Sequence, residues 1–153
     1  MVIYQEKQKF GAVYTTILLV VMAGVCALTL YELWGREVEW IHFLAPLVSV
    51  TFLIFLLSLT LTTRILPDAI QVGFPLWPKR TIARRDIDKA YIRRYSPLQE
   101  FGGWGYRVGP HGKAYNAMGD MGLQLELRDG SRILIGTQRP EELRQVIQRW
   151  MER

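Results

Sequence analysis

The residues able to do chemistry in this sequence are few and far apart. Two histidines, His42 and His111, and one cysteine, Cys26, are its only imidazole and thiol groups. His111 lies in the glycine-proline loop Gly109-Pro110-His111-Gly112 and His42 in an apolar run, so no histidine pair stands at ligand spacing for a metal. Asp120 and Asp129 each adjoin a glycine in a turn context, where Asp is favoured because it bonds its own backbone. A Ser/His/Asp set can be assembled only by choosing arbitrarily among Ser96, Ser131, His111 and nearby acids, with no nucleophile motif. The glycine-rich stretch from Phe101 to Gly122 fits neither phosphate-loop template. Gly112-Lys113 is followed by Ala114 where Ser or Thr is needed, and Arg107 stands five positions before Gly112. Gly103-Trp104-Gly105 lacks the third glycine of a dinucleotide fingerprint, and no βαβ pattern surrounds it. Neither an enzyme activity nor a cofactor is expected.

The segments that must position these residues are organised around Gly11 to Thr63. Two long uncharged apolar stretches, Gly11 to Tyr31 and Trp40 to Thr63, flank the polar insert Glu32 to Glu39. Each has the roughly 20 residues that a helix needs to cross a hydrocarbon core. The expected arrangement is a two-helix transmembrane hairpin over residues 1–63, with helices at about 11–31 and 40–63, followed by a soluble domain over 64–153. Trp34 and Trp40 bracket the insert where indole rings favour the membrane interface, and Pro46 falls in the first turns of the second helix, where a missing N–H costs least. His42, one turn inside, has no intramembrane charged partner, which argues for an interfacial histidine over a proton relay and removes support for transport. Cys26 stands mid-helix as a small packing residue. Val25 before it suits a lipidated cysteine poorly, and the apolar run continues to Tyr31, so a retained helix is expected instead of a cleaved signal.

Charge sets the orientation. The formal net charge is +5, and before Arg64 the basic residues Lys7, Lys9 and Arg36 are outnumbered by Glu6, Glu32, Glu37 and Glu39, so the positive excess belongs to the soluble part. Lys7 and Lys9 precede the first helix, and Arg64, Lys79, Arg80, Arg84 and Arg85 follow the second. By the positive-inside tendency both termini and the soluble domain are cytoplasmic. The basic residues are spread along strands without stacking aromatics, so no nucleic acid is expected as a partner.

After Arg64 the pattern turns to period-2 runs punctuated by glycine, the signature of antiparallel strands. Thr81 to Tyr95 alternates basic and apolar residues, with Ile82, Ile87, Tyr91 and Ile92 as core candidates and a kink near Asp86-Ile87. Leu123, Leu125 and Leu127 form a half-buried strand whose partner is Ile133-Leu134-Ile135. A three-residue turn with Gly130 left-handed sets Leu125 opposite Ile133, Leu123 opposite Ile135 and Glu126 opposite Arg132, which matches faces and charges. Pro140 opens a final helix with Leu143, Val146, Ile147 and Trp150 on one stripe, suited to closing the open end of its own domain.

Short strands followed by one amphipathic helix, together with Ile82 to Ile87, the segment Phe101-Gly102-Gly103-Trp104-Gly105-Tyr106-Arg107, the Leu123 to Gly136 hairpin and Arg139-Pro140-Glu141-Glu142-Leu143, resemble the pleckstrin-homology-like (PH-like) domains of small bacterial membrane proteins. The resemblance implies an α+β fold, a small antiparallel PH-like β-barrel or sandwich capped by the C-terminal helix, on the cytoplasmic side of a bacterial inner membrane. It also implies a binding scaffold without chemistry of its own, an accessory subunit whose partner beyond the lipid bilayer is another membrane protein or a further copy of the chain. The residues expected to meet a protein partner are Phe101, Trp104, Tyr106, Arg107, His111 and Tyr115, with core filling an equal role for Trp104 and Tyr106. The alternative is a basic face for anionic lipid headgroups, made of Trp77, Lys79, Arg80, Arg84 and Arg85. The Arg-x-Arg pair of lipid-binding PH domains is missing after Trp77-Pro78-Lys79-Arg80, so phosphoinositide specificity does not carry over.

Overall fold

The first six residues of regular structure form a strand. Tyr4–Lys9 (β1) buries Tyr4, Glu6 and Gln8 and exposes Gln5, Lys7 and Lys9, the alternation of an extended chain with one face covered. The computed structural model describes residues 1–34, 43–75 and 78–152. The chain divides into two compact units, Met1–Lys9 with Thr60–Arg153, and Phe10–Leu59. The domain is therefore discontinuous: β1 precedes the apolar segment and the rest follows it.

In the first sheet β1 pairs with β2 (Thr60–Ile65), β2 with β3 (Ala69–Gly73) and β3 with β4 (Arg80–Ala83), all antiparallel. Lys9 stands opposite Thr60 and Tyr4 opposite Ile65. This corrects the expected end of the second apolar helix. Thr60 to Thr63 are strand residues, because Thr60-Leu61-Thr62-Thr63-Arg64-Ile65 alternates with Leu61, Thr63 and Ile65 inward, and β-branched threonines favour a pleated surface. The division at 63/64 thus falls inside β2.

The second sheet runs β5-β8-β9-β7-β6, with β5 (Ile87–Arg94), β6 (Gly105–Gly109), β7 (Gly112–Asn116), β8 (Met121–Leu127) and β9 (Arg132–Gly136). It is mixed. β7 and β9 are parallel, since the chain reverses between β7 and β8 and again between β8 and β9. Among the described residues no strand pairing joins the two sheets, so of the expected barrel or sandwich there is no closed barrel, and the second sheet is mixed where antiparallel strands were expected. The β8–β9 hairpin has the expected register: Leu123 opposite Ile135, Leu125 opposite Ile133, Glu126 opposite Arg132. Its turn closes with Gly130 N–H on Leu127 O at 2.9 Å, and Gly130 is left-handed at φ 82°.

The kink between β4 and β5 is a short 3-10 turn over Arg84–Asp86. A bulge at Asp88, between the Ile87–Leu127 and Lys89–Glu126 pairs, then shifts the alternation by one residue. That corrects Tyr91: it faces out, and its hydroxyl donates to Glu126 at 3.0 Å. The helices in chain order are α1 (Ala12–Leu33), α2 (Leu44–Ser58), α3 (Pro97–Phe101) and α4 (Pro140–Met151). Pro140 begins α4, Glu141 and Glu142 occupy its first turn and Arg149 its last, the arrangement favoured by the helix dipole. Leu143, Ile147 and Trp150 are buried, packing α4 on β5 and β8. The Trp150 indole N–H donates to Leu66 O at 2.7 Å and Pro67 O at 3.0 Å, which secures the helix to the β2–β3 turn.

In the other unit, α1 contains one stretch, Thr15–Glu32, long and apolar enough to cross a membrane. Large apolar side chains such as Ile17, Val20, Leu28 and Leu30 are exposed along it. α2 has 15 residues, about 22 Å of helix, and is shorter than expected because β2 begins at Thr60. The hydroxyls of Thr15, Thr29, Thr51 and Ser58 bond back to carbonyls of Gly11, Val25, Leu47 and Phe55, so these polar groups are satisfied without water. Trp40 and His42 lie outside the described residues.

Candidate functional site

The aromatic residues expected to meet a partner divide between core and surface. Phe101 ends α3 and is buried with Tyr95, Ala114 and Leu134. Its ring meets Tyr95 edge-on at 6.1 Å between centroids and His111 at 6.4 Å. Burial pushes the Tyr95 hydroxyl up to about 12, so it is a neutral core phenol. Tyr115 is also buried, against the exposed Tyr106 at 4.9 Å. Trp104 is half-buried and donates its indole N–H to Gly119 O at 3.3 Å. Tyr106, Arg107 and His111 are exposed. Tyr106 and Arg107 belong to β6, an edge strand, beside Val108, which is 67% exposed.

The basic set is likewise divided. Trp77 lies outside the described residues. Arg80 stands opposite Val72 and Val72 opposite Thr63, so Arg80 begins β4 three residues in from the Lys9–Thr60 pair. Ala83 is opposite Ala69, which places Arg84 and Arg85 at the other end, about 13 Å along the strand. Arg84 is engaged within the fold: its guanidinium lies over the Trp150 ring at 5.4 Å and donates to Met151 O at 3.0 Å. Arg85 is exposed beside Asp86. Of the four described residues, Lys79 and Arg80 stand at the start of β4 and Arg84 and Arg85 beyond its end.

Arg80 instead meets residues of the second sheet. A cleft of about 380 Å³ is lined by Arg80, the β6–β7 turn with His111, Lys113 on β7, and Ser131 and Arg132 at the β8–β9 turn. Its wall depends on Gly112, whose φ of 104° is left-handed and where a Cβ would collide with the Arg132 carbonyl. Neither motif nor strand pattern predicts that Lys113 and Arg132 share a site. They come together because β7 lies parallel to β9, with Lys113 opposite Ile133.

A second polar centre joins β1 to the rest of the domain. The buried Glu6 carboxylate accepts from Tyr4 OH at 2.8 Å, Thr137 OH at 2.8 Å and Gln138 N–H at 2.7 Å. Gln8 donates to Gly136 O at 2.6 Å, and Arg139 reaches back to Gln5 O at 2.7 Å with its guanidinium over the Tyr4 ring. Burial, followed by the bond to Glu6, raises the Tyr4 hydroxyl well above its ordinary value. These bonds fix the strand that leads into the apolar segment.

Among the described residues no three His, Cys, Asp or Glu side chains converge as a metal site. No protein-family model matches the chain, and no curated protein matches it.

Proposed function

We propose that this chain is a non-enzymatic, membrane-anchored interaction module: a two-helix hairpin within Phe10–Leu59 anchors a PH-like domain on the cytoplasmic face of a bacterial inner membrane, where it serves as an accessory subunit for another membrane protein or for further copies of itself. The observation that carries this reading is the pairing of Lys9 with Thr60. The chain leaves the sheet and re-enters it at adjacent strands, so an excursion into a bilayer must return to the side from which it started. An apolar, exposed α1 and hydroxyls bonded within their own helices suit a lipid solvent. Lys7 and Lys9 before the excursion and Arg64 after it favour the cytoplasmic side. A cleaved leader would give no reason for Tyr4–Lys9, upstream of α1, to be a strand with a buried, triply bonded carboxylate.

The PH-like assignment is supported by the four-stranded antiparallel meander and by the β8–β9 hairpin leading into one amphipathic helix. The α3–β6–β7 excursion and the parallel β7–β9 pair depart from the simplest such plan. For the partner surface, burial of Phe101 and Tyr115 leaves the β6 edge, with Tyr106, Arg107 and Val108, as the exposed part. The test is mild-detergent purification of the full-length protein from its native membrane, followed by sizing and mass spectrometry. A stoichiometric companion or a defined homo-oligomer that is lost in Tyr106→Ala/Val108→Ser is expected; a monodisperse monomer without companions would overturn the proposal.

A further inference from the structure

We infer that the cleft between β4, the β6–β7 turn and the β8–β9 turn is a binding site for a phosphate-type dianion. Arg80, Lys113 and Arg132 bring three cationic side chains to it, together with the His111 imidazole, and no carboxylate lines it. Among the described residues none of these three cations makes an ion pair, whereas Arg85, Lys89, Arg93, Arg94, Arg139 and Arg144 each do.

The acids nearby are committed elsewhere. Asp129 accepts from Ser131 N–H at 2.8 Å, and bonds from Ser131, aided weakly by the field of Arg80, hold its carboxyl below the usual range. Glu100, whose carboxyl feels the field of His111 only weakly, is bonded to Arg93 at 2.7 Å and accepts from Ser96 N–H at 2.8 Å. Glu126, opposite Arg132 in the ladder, accepts from Tyr91 and sits 3.8 Å from Lys89. Cations gathered from two sheets, none of them held in an ion pair among the described residues, gain from an anion that joins them. Two guanidinium forks with an ammonium match the several oxygens of a phosphate better than they match one carboxylate. The site does not depend on the membrane reading: its ligand is either a soluble phosphate or the phosphate of a lipid headgroup.

The test uses the full-length chain in phosphatidylcholine nanodiscs at fixed pH and ionic strength, observed through the ring signals of its two histidines, with His111→Gln identifying that of His111. Inorganic phosphate, or phosphatidic acid placed in the nanodisc, is the probe. A saturable shift of the His111 signal is expected. It should weaken about tenfold or more in Arg132→Gln, and equally in Arg80→Gln on the other sheet, but not in Arg149→Gln on α4. A response to phosphate assigns a soluble ligand, and a response to phosphatidic acid alone assigns a headgroup. No saturable shift with either probe, or a shift unchanged in both Arg80→Gln and Arg132→Gln, overturns the assignment.

Discussion

Lys9 lies opposite Thr60 in the β1–β2 ladder, with the whole apolar segment Phe10–Leu59 between them in sequence. The segment is an insertion between two hydrogen-bonded neighbours of one sheet, so the strands on either side of it are held together by the sheet itself. β1 is an edge strand, and its attachment relies on the bonds made by Glu6 and Gln8 as well as on its ladder to β2.

Glu6→Ala leaves Tyr4 OH, Thr137 OH and Gln138 N–H without their acceptor. A destabilisation of about 2–4 kcal/mol is expected, read by pulse proteolysis of the full-length protein in urea, with new cleavage near Lys7 and Lys9. A change below about 0.5 kcal/mol would mean that β1 is not anchored by this carboxylate.

Gly112 and Gly130 both have positive φ, but only Gly112 has a neighbour where a side chain would go. Gly130→Ala should therefore cost about 1 kcal/mol, the price of the left-handed backbone alone. Gly112→Ala adds a collision with the Arg132 carbonyl and should cost clearly more, about 2 kcal/mol or above. Equal losses in the two variants, measured by the same urea titration, would contradict the close approach of the β6–β7 turn to β9.

Glu100 is held below the ordinary carboxylate value of 4.5, first by its hydrogen bond with Arg93 and also by Ser96 N–H. A depressed native value means that the unfolded chain binds more protons, so stability rises with pH in this window. Its contribution is complete above the ordinary value and disappears as pH falls through the depressed one. Glu100→Gln should be less stable near neutrality and show a flatter acid limb below about pH 4.5; parallel acid limbs for the two proteins would show that the pair contributes nothing.

Much of the domain is legible in residue pattern. The three-residue turn at Gly130 follows from matching Leu125 with Ile133 and Glu126 with Arg132, and the α4 stripe of Leu143, Ile147 and Trp150 is buried as its spacing implies. β1 is concealed because two of its inward residues, Glu6 and Gln8, are polar. Their partners, Thr137, Gln138 and Gly136, lie at the far end of the chain. Tyr91 escapes simple alternation through the bulge at Asp88. The basic cleft is equally hidden, since Lys113 and Arg132 become neighbours only through the parallel β7–β9 pairing, and Arg80 joins them from the other sheet. Local pattern records which face a residue takes, but such long-range partners are decided by topology.

The most direct measurement is sidedness. In a Cys26→Ser background, which removes the sole native cysteine, single cysteines at Val2, Trp34 and Glu152 are treated with a membrane-impermeant maleimide in sealed inverted membrane vesicles and in intact spheroplasts. Val2→Cys and Glu152→Cys should label together, from the cytoplasmic side, and Trp34→Cys only from the other. Labelling of Val2→Cys and Glu152→Cys from opposite sides would contradict an insertion that leaves and rejoins one sheet.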